Sequence, residues 1–297
     1  MKEICPTTRI EKILLATDGS EYSEGAIREA VKLAKRCGSS LTVVSVIESN
    51  PEFDALAPQI TEKRERTARE GLESVKERAG REGVVCETIV RRGEDAYHGI
   101  AEEATRNKST LIVMGRRGKT GLKRLVMGSV TARVIGHAPC NVLVVPKASE
   151  MRFNSIIVAT DGSKYSSTAA GEAIGLAQRN KSRLTVVAAV PSELMTPTDI
   201  DFTMNQKELL AESEMREAEK NAKAVKEAAL KSGVEAKAFV MTGRPADTII
   251  EIAKDKVADL IVLGSHGRTG VERLLMGSVA ERVIVLASCP VLVVKTL

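Results

Sequence analysis

Short apolar runs alternate with long amphipathic stretches along the whole chain. In its first half, runs at 10–16, 41–47, 84–91, 110–114 and 141–145 are rich in β-branched residues and predict strands. Between them, 21–37, 59–81, 94–107 and 129–137 predict helices. Ala26, Ala30, Leu33 and Ala34, for example, share one helical face. Residues 48–60 and 191–204, rich in Pro, Asp and Glu, read as loops. The dense Glu/Ala/Lys stretch from Glu208 to Lys231 reads as a solvated helix held by i,i+4 pairs. Five apolar runs alternating with four helices predict an α/β domain whose parallel sheet is covered on both faces. Crossovers are right-handed, so helices fall on both sides where strand order reverses. Ligands bind at the carboxyl ends of the strands at that switch point.

The same unit is written twice. Lys12-Ile-Leu-Leu-Ala-Thr-Asp18-Gly-Ser20 returns as Ser155-Ile-Ile-Val-Ala-Thr-Asp161-Gly-Ser163. Met127-Gly-Ser-Val130 returns as Met276-Gly-Ser-Val279, and Asn141-Val-Leu-Val-Val145 as Pro290-Val-Leu-Val-Val294. The period is far beyond that of a solenoid, so each copy is a full domain, 1–147 and 152–297. The short polar joint from Pro146 to Arg152 predicts that the two lie side by side.

Composition narrows the classes. Of 297 residues, 43% are hydrophobic and 28% charged, which suits a soluble globular protein. Aromatics are only 2%, so the core is built from Val, Ile, Leu, Ala and Met, and base-stacking platforms are disfavoured. The net charge of +5 is dispersed without a long basic block, which argues against nucleic acid as a partner. No apolar run approaches the ~20 residues that span a bilayer, and the N-terminus lacks an apolar signal core. A cytoplasmic protein with no membrane partner is expected. Five widely spaced cysteines form no CxxC or Cys/His cluster and read as reduced thiols.

The chemistry concentrates in two glycine-rich stretches. Gly115-Arg-Arg-Gly118 is followed after nine residues by Gly128-Ser129, and Gly264-Ser-His-Gly267 after nine by Gly277-Ser278. Glycine-rich strand-to-helix turns expose backbone N–H groups that favour an anion such as phosphate. Tight turns and close helix–strand packing explain one or two such glycines, but not this spacing twice. Arg116, Arg117, Lys119, Lys123 and Arg124 add positive charge to the first loop; His266, Arg268 and Arg273 add it to the second. Ser129 and Ser278 offer a hydroxyl as N-cap, phosphate ligand or both. Asp18 and Asp161 end the first strand of each unit, either to accept hydrogen bonds from a ribose or base, or to N-cap the next helix in competition with Ser20 and Ser163.

Other motifs fail. Gly118-Lys-Thr120 resembles the end of a Walker A loop, but Val113 stands where its first glycine is needed. Gly-x-Gly-x-x-Gly is absent from the first strand turns. No catalytic triad or paired carboxylates can be argued from spacing, and of His98, His137 and His266 only the last lies in a candidate loop. Cys140 and Cys289, at equivalent places before the last strands, read as small core residues.

These residues resemble the universal stress protein (UspA-like) family in its tandem two-domain form, over residues 9–297. The resemblance implies two Rossmann-like (adenine nucleotide alpha hydrolase-like) domains, each a five-stranded parallel sheet of order 3-2-1-4-5. It implies ATP as cofactor, with or without Mg²⁺, and metal ligands are not assigned. Thr17 and Asp18, and Thr160 and Asp161, would lie on the ribose or adenine side, with Val46 and Ala189 against adenine. Met114, Gly115, Arg117, Gly118, Gly128, Ser129 and Val130 would hold the phosphates in the first unit. Leu263, Gly264, His266, Gly267, Gly277, Ser278 and Val279 would do so in the second. Family members pair their last strands, so 142–145 and 291–294 would pair within this chain, with a further homodimer left open. The expected function is a nucleotide-responsive binding or regulatory module with one site per domain and a protein partner the sequence does not identify. Two alternatives stand beside it: a slow ATPase or nucleotidyl-transfer enzyme, for which no catalytic residue can be named, and a structural or chaperone-like protein with vestigial loops.

Overall fold

The computed structural model describes residue 5 and residues 10–118, 127–191, 204–268 and 276–296. In the first half, β1 (Lys12–Ala16), α1 (Glu24–Cys37), β2 (Ser40–Glu48), α2 (Pro51–Leu56), α3 (Pro58–Arg81) and β3 (Cys86–Gly93) are followed by α4 (Ala96–Arg106), β4 (Leu111–Gly115), α5 (Ser129–His137) and β5 (Asn141–Val145). The second half repeats the scheme with β6 (Ser155–Ala159), α6 (Lys164–Asn180), β7 (Arg183–Val190), α7 (Met204–Lys231), β8 (Ala236–Thr242), α8 (Pro245–Asp255), β9 (Leu260–Gly264), α9 (Ser278–Leu286) and β10 (Val291–Val294).

The ten strands among the described residues form one sheet of order β3-β2-β1-β4-β5-β10-β9-β6-β7-β8. Each half is therefore a 3-2-1-4-5 sheet, as expected. The halves meet where β5 and β10 pair antiparallel, with Val142 opposite Val293, Leu143 opposite Leu292 and Val144 opposite Val291. Strands such as Leu111–Gly115, buried at every position, can exist only with both faces covered. One face is covered by α1, α3, α6 and α7, packed on Ile13, Leu15, Val43 and Leu143 and their counterparts. The other is covered by α4, α5, α8 and α9, packed on Leu14, Val44, Ile112 and Val142. Pairing β5 with β10 removes two apolar sheet edges that would otherwise invite association with other chains.

The joint between the halves is packed down on α1. The Glu29 carboxylate, 1% exposed, accepts from Arg28 Nε at 3.1 Å and from the Met151 N–H at 3.4 Å. Arg28 also donates to the Ser149 carbonyl. Met151 and Phe153 are buried, so only part of this polar-looking stretch is solvated.

Two expectations need correction. The 48–60 segment contains a helix, α2, held in place by the Asp54 carboxylate, which accepts from Ser49 Oγ at 3.2 Å and Thr61 Oγ1 at 2.7 Å. Cys5 and Cys37 form a disulfide, so not all five thiols are free. Cys37 closes α1, and residue 5 returns alongside it with Cα atoms 4.3 Å apart, a proximity that 32 residues of separation does not signal. Cys140 and Cys289 are buried core thiols, each pushed up to about 12 by desolvation, as expected of inert residues. The 191–204 stretch lies almost wholly outside the described residues. From 204 onward α7 carries the expected i,i+4 pairs, Arg216 with Glu212 at 3.2 Å and Lys223 with Glu227 at 3.9 Å.

Candidate functional site

Each half gathers its candidate residues at the carboxyl edge of the sheet, beside the switch point between the first strand and the fourth. In the first half, the Thr17 N–H still bonds the Val44 carbonyl at 3.0 Å, and then the chain turns away through Gly19 at φ +73°. Gly162 makes the same turn at φ +80°, where a side chain would be strained. Asp18 Oδ1 accepts from the Ser20 N–H at 3.0 Å and from Ser23 Oγ at 2.9 Å. Asp161 Oδ1 accepts from the Ser163 N–H at 3.0 Å, while Ser166 Oγ sits 3.4 Å from the Asp161 N–H.

The aspartates thus organise the strand-exit turn and do not cap α1 or α6. Ser163 is the side chain that caps α6, accepting from the Ser166 N–H at 3.2 Å. Ser20 makes no such bond, and its buried Oγ has no partner among the described residues. Burial pushes the Asp161 carboxyl up, but hydrogen bonds from Ser163, Ser166 and the Arg268 N–H outweigh it and hold the group below its ordinary value.

The glycines divide into two jobs. A Cβ on Gly115 would lie 2.9 Å from the Tyr22 carbonyl, and one on Gly264 would lie 2.7 Å from the Tyr165 carbonyl carbon. These first glycines therefore serve close helix–strand packing. A Cβ on Gly118 would lie 2.6 Å from Asp18 Oδ2, and one on Gly267 would lie 2.8 Å from Asp161 Oδ2. These second glycines bring loop backbone onto the carboxylate at the neighbouring strand's end, which helix packing does not require.

The loops close where the last helix of each half begins. The Gly128 N–H bonds the Arg116 carbonyl at 3.0 Å, and the Gly277 N–H bonds the Ser265 carbonyl at 2.9 Å. Gly128 and Gly277 are the N-caps, with extended backbone and no side chain to satisfy the first-turn amides of α5 and α9. Ser129 and Ser278 are the first helical residues and are exposed, so their hydroxyls are not N-caps, as was one of the expected roles. Val130 is half-buried and Val279 exposed beside them. Met114 and Leu263 are buried under the loops. Val46 is half-buried at the end of β2 against Gly99 of α4, and Ala189 holds the matching place in β7.

Among the described residues, two of the expected cations, Arg116 and Arg268, are engaged elsewhere. Arg116 Nη1 turns away to the carbonyls of Ile284, Val285 and Ala287 in the other half, at 3.3, 2.9 and 2.8 Å. Arg268 is engaged by Glu214 at 2.7 Å and Glu217 at 3.6 Å on α7. His266 stacks obliquely on Tyr165, ring centroids 5.1 Å apart, with Nδ1 3.1 Å from Ser265 Oγ. Arg117 lies half-buried in the first loop. Lys119, Lys123, Arg124 and Arg273 lie outside the described residues. Ser23 and Ser166 were not singled out from sequence, although Asp-Gly-Ser-x-Tyr-Ser occurs in both halves and carried the signal. Among the described residues no group of three His, Cys, Asp or Glu side chains is placed to hold a metal ion, and no helix is long and apolar enough to cross a membrane.

A duplicated 3-2-1-4-5 sheet with a glycine loop and an open helix N-terminus at each switch point defines a tandem α/β protein of the Rossmann-like class. The universal stress protein family model matches residues 9–146 and again 152–295, and the chain belongs to that family. Universal stress protein MJ0531 of Methanocaldococcus jannaschii is 40% identical over 146 residues, which is 49% of this chain and 84% of the relative. Universal stress protein YxiE of Bacillus subtilis is 32% identical over 147 residues, 48% of this chain and 99% of the relative. A universal stress protein from Archaeoglobus fulgidus superposes with a TM-score of 0.72 at 22% identity, covering 98% of both chains, which is a likeness of fold.

Proposed function

We propose that the protein binds adenine nucleotide, ATP in the first instance, at one site per half, and acts as a nucleotide-responsive regulatory module. The carrying observation is the approach of Gly118 to Asp18 and of Gly267 to Asp161, at distances that leave no room for a Cβ. It sets a strand-end carboxylate beside a loop that leads into an open helix N-terminus, once in each half. The first-turn amides of α5 and α9, with Ser129 and Ser278, fit phosphate oxygens through oriented N–H donors and the positive end of the helix dipole. Asp18 and Asp161 fit ribose hydroxyls, because the two oxygens of a carboxylate offer about four acceptor sites between them. The buried Ser20 Oγ beside Asp18, without a partner among the described residues, fits a further polar contact in the first site. Val46 and Ala189 offer apolar surface to a base. The domain limits 1–147 and 152–297 are part of this reading.

With no Walker lysine, the backbone and helix dipoles supply most of the phosphate recognition, which favours holding the nucleotide over fast hydrolysis. Isothermal titration of the full chain with ATP, with and without Mg²⁺, tests the proposal. Two nucleotides per chain are expected, and no saturable binding at millimolar ATP overturns it.

A further inference from the structure

The helices that open the two sites are each capped by a cation from the opposite half. Arg116 follows Gly115 directly, and its guanidinium reaches the carbonyls of Ile284 and Val285 in the last turn of α9 and of Ala287 just after it, at 3.3, 2.9 and 2.8 Å. Its own carbonyl is held by the Gly128 N–H at 3.0 Å, so one residue joins the first site to the far end of the second site's helix. Lys295 makes the reverse connection. Val294, just before it, pairs with Gly264, and its carbonyl accepts from the Ser265 N–H at 3.2 Å. The Lys295 ammonium donates to the carbonyls of Ile135 and Gly136, at the end of α5, at 2.9 and 3.1 Å.

Helix C-terminal carbonyls have no intrahelical partners, and a cation there complements the macrodipole. Duplication does not explain the arrangement. Ser265 stands where Arg116 stands in the first copy, and Pro146 where Lys295 stands in the second. Two different cations at non-equivalent positions perform the same connection in opposite directions. Burial lowers the proton affinity of both, so each is held by its carbonyls in a partly desolvated place.

We propose that Arg116 and Lys295 couple the two nucleotide sites, so that occupation of one raises the affinity of the other. The inference rests on the nucleotide reading above. Nucleotide bound at Gly118, Gly128 and Ser129 restrains the Arg116 backbone that the Gly128 N–H holds, its guanidinium then holds α9, and the phosphate seat at Gly277 and Ser278 is met already restrained. Ligand entering a site ordered in advance loses less conformational freedom, and such coupling is reciprocal between sites.

Isothermal titration with ATP of the full chain and of Arg116→Met/Lys295→Met is the test. The unsubstituted chain should show second-site affinity raised roughly fivefold or more by the first. The double variant should bind two nucleotides independently, and Arg116→Lys should restore part of the coupling. Loss of melting temperature with an unchanged affinity ratio assigns both cations to interface stability alone and overturns the inference, as do two independent sites in the unsubstituted chain. No binding at all overturns the nucleotide reading itself, a separate result. Should the double variant fail to fold, amide exchange in Gly267→Val decides: ATP in the first site should slow exchange in α9, and unchanged α9 exchange overturns the coupling.

Discussion

Asp161 Oδ2 accepts a hydrogen bond at 2.8 Å from the backbone N–H of Arg268, a residue 107 positions further along the chain. The end of β6 thereby holds the loop that leaves β9. Burial disfavours the Asp161 charge, but the bonds from Ser163, Ser166 and Arg268 outweigh it, and the native pKa is depressed. A depressed carboxyl stabilises the fold fully above its unfolded value of about 3.9 and ceases to do so as pH falls through the native value. Asp161→Asn should therefore cost about 1–3 kcal/mol at neutral pH. The gap from the parent should close in strong acid. Thermal midpoints of both proteins from pH 7 downward check this, and a gap that stays constant into strong acid refutes the assignment.

The two glycines of each loop should separate stability from binding. Gly115→Ala and Gly264→Ala press a methyl against backbone of Tyr22 and Tyr165, which cannot swing aside, so each should lose about 1–3 kcal/mol. Gly118→Val and Gly267→Val press instead on the ends of the Asp18 and Asp161 side chains. Gly118→Val should keep most of its melting temperature, Gly267→Val should lose up to about 1–3 kcal/mol because it also displaces the Asp161 oxygen that accepts the Arg268 N–H, and each should lose one nucleotide per chain. Differential scanning fluorimetry paired with equilibrium dialysis of labelled ATP reads both effects. If Gly118→Val left two nucleotides bound, the loop would not line a site.

The strands and both glycine loops were legible because they are written locally and twice, whereas the sheet order came only from the family resemblance. A buried β-branched run signals a doubly covered strand wherever it occurs, and the glycine spacing survives without knowledge of neighbours. What escaped the sequence depends on the other half or on a distant segment. Arg116 looked like loop charge because nothing nearby in sequence announces the α9 carbonyls it reaches. Arg268 looked the same until Glu214 and Glu217 arrived from α7. The aspartates were ambiguous for a different reason, since a cap and a strand-exit turn use the same residue type.

The cysteines make a chemical prediction. With Cys5 and Cys37 joined, Cys86, Cys140 and Cys289 are the three free thiols. Thiol titration of chain denatured without reductant should give three equivalents, and chain denatured after reduction five. Closing a loop between residues 32 apart restricts the unfolded chain by about 3–4 kcal/mol in the entropic account. Cys37→Ser should lower the melting temperature accordingly, and reductant should lower the parent to meet it. Five equivalents before reduction would remove the bridge from the description.

Val46 and Gly99 test the equivalence of the two sites. A Cβ on Gly99 would lie 3.1 and 3.2 Å from the two Val46 methyls, so α4 sits as close to the end of β2 as glycine permits. Aligning the repeats places Ala189 where Val46 stands and Ile249 where Gly99 stands, so the bulk moves from strand to helix. Gly99→Ile alone should overpack this place and cost about 1–3 kcal/mol. Val46→Ala alone should leave a small void beside the proposed adenine surface. Together they recreate the second half's pair and should recover most of the loss, with a coupling of about 1 kcal/mol or more in a double-mutant cycle. ATP affinity of the first site, measured in a Gly267→Val background, should move toward that of the second as the pair is exchanged. Strictly additive stabilities would show that the two positions do not share the space between α4 and β2. Recovered stability with unmoved affinity would place the base elsewhere than on Val46.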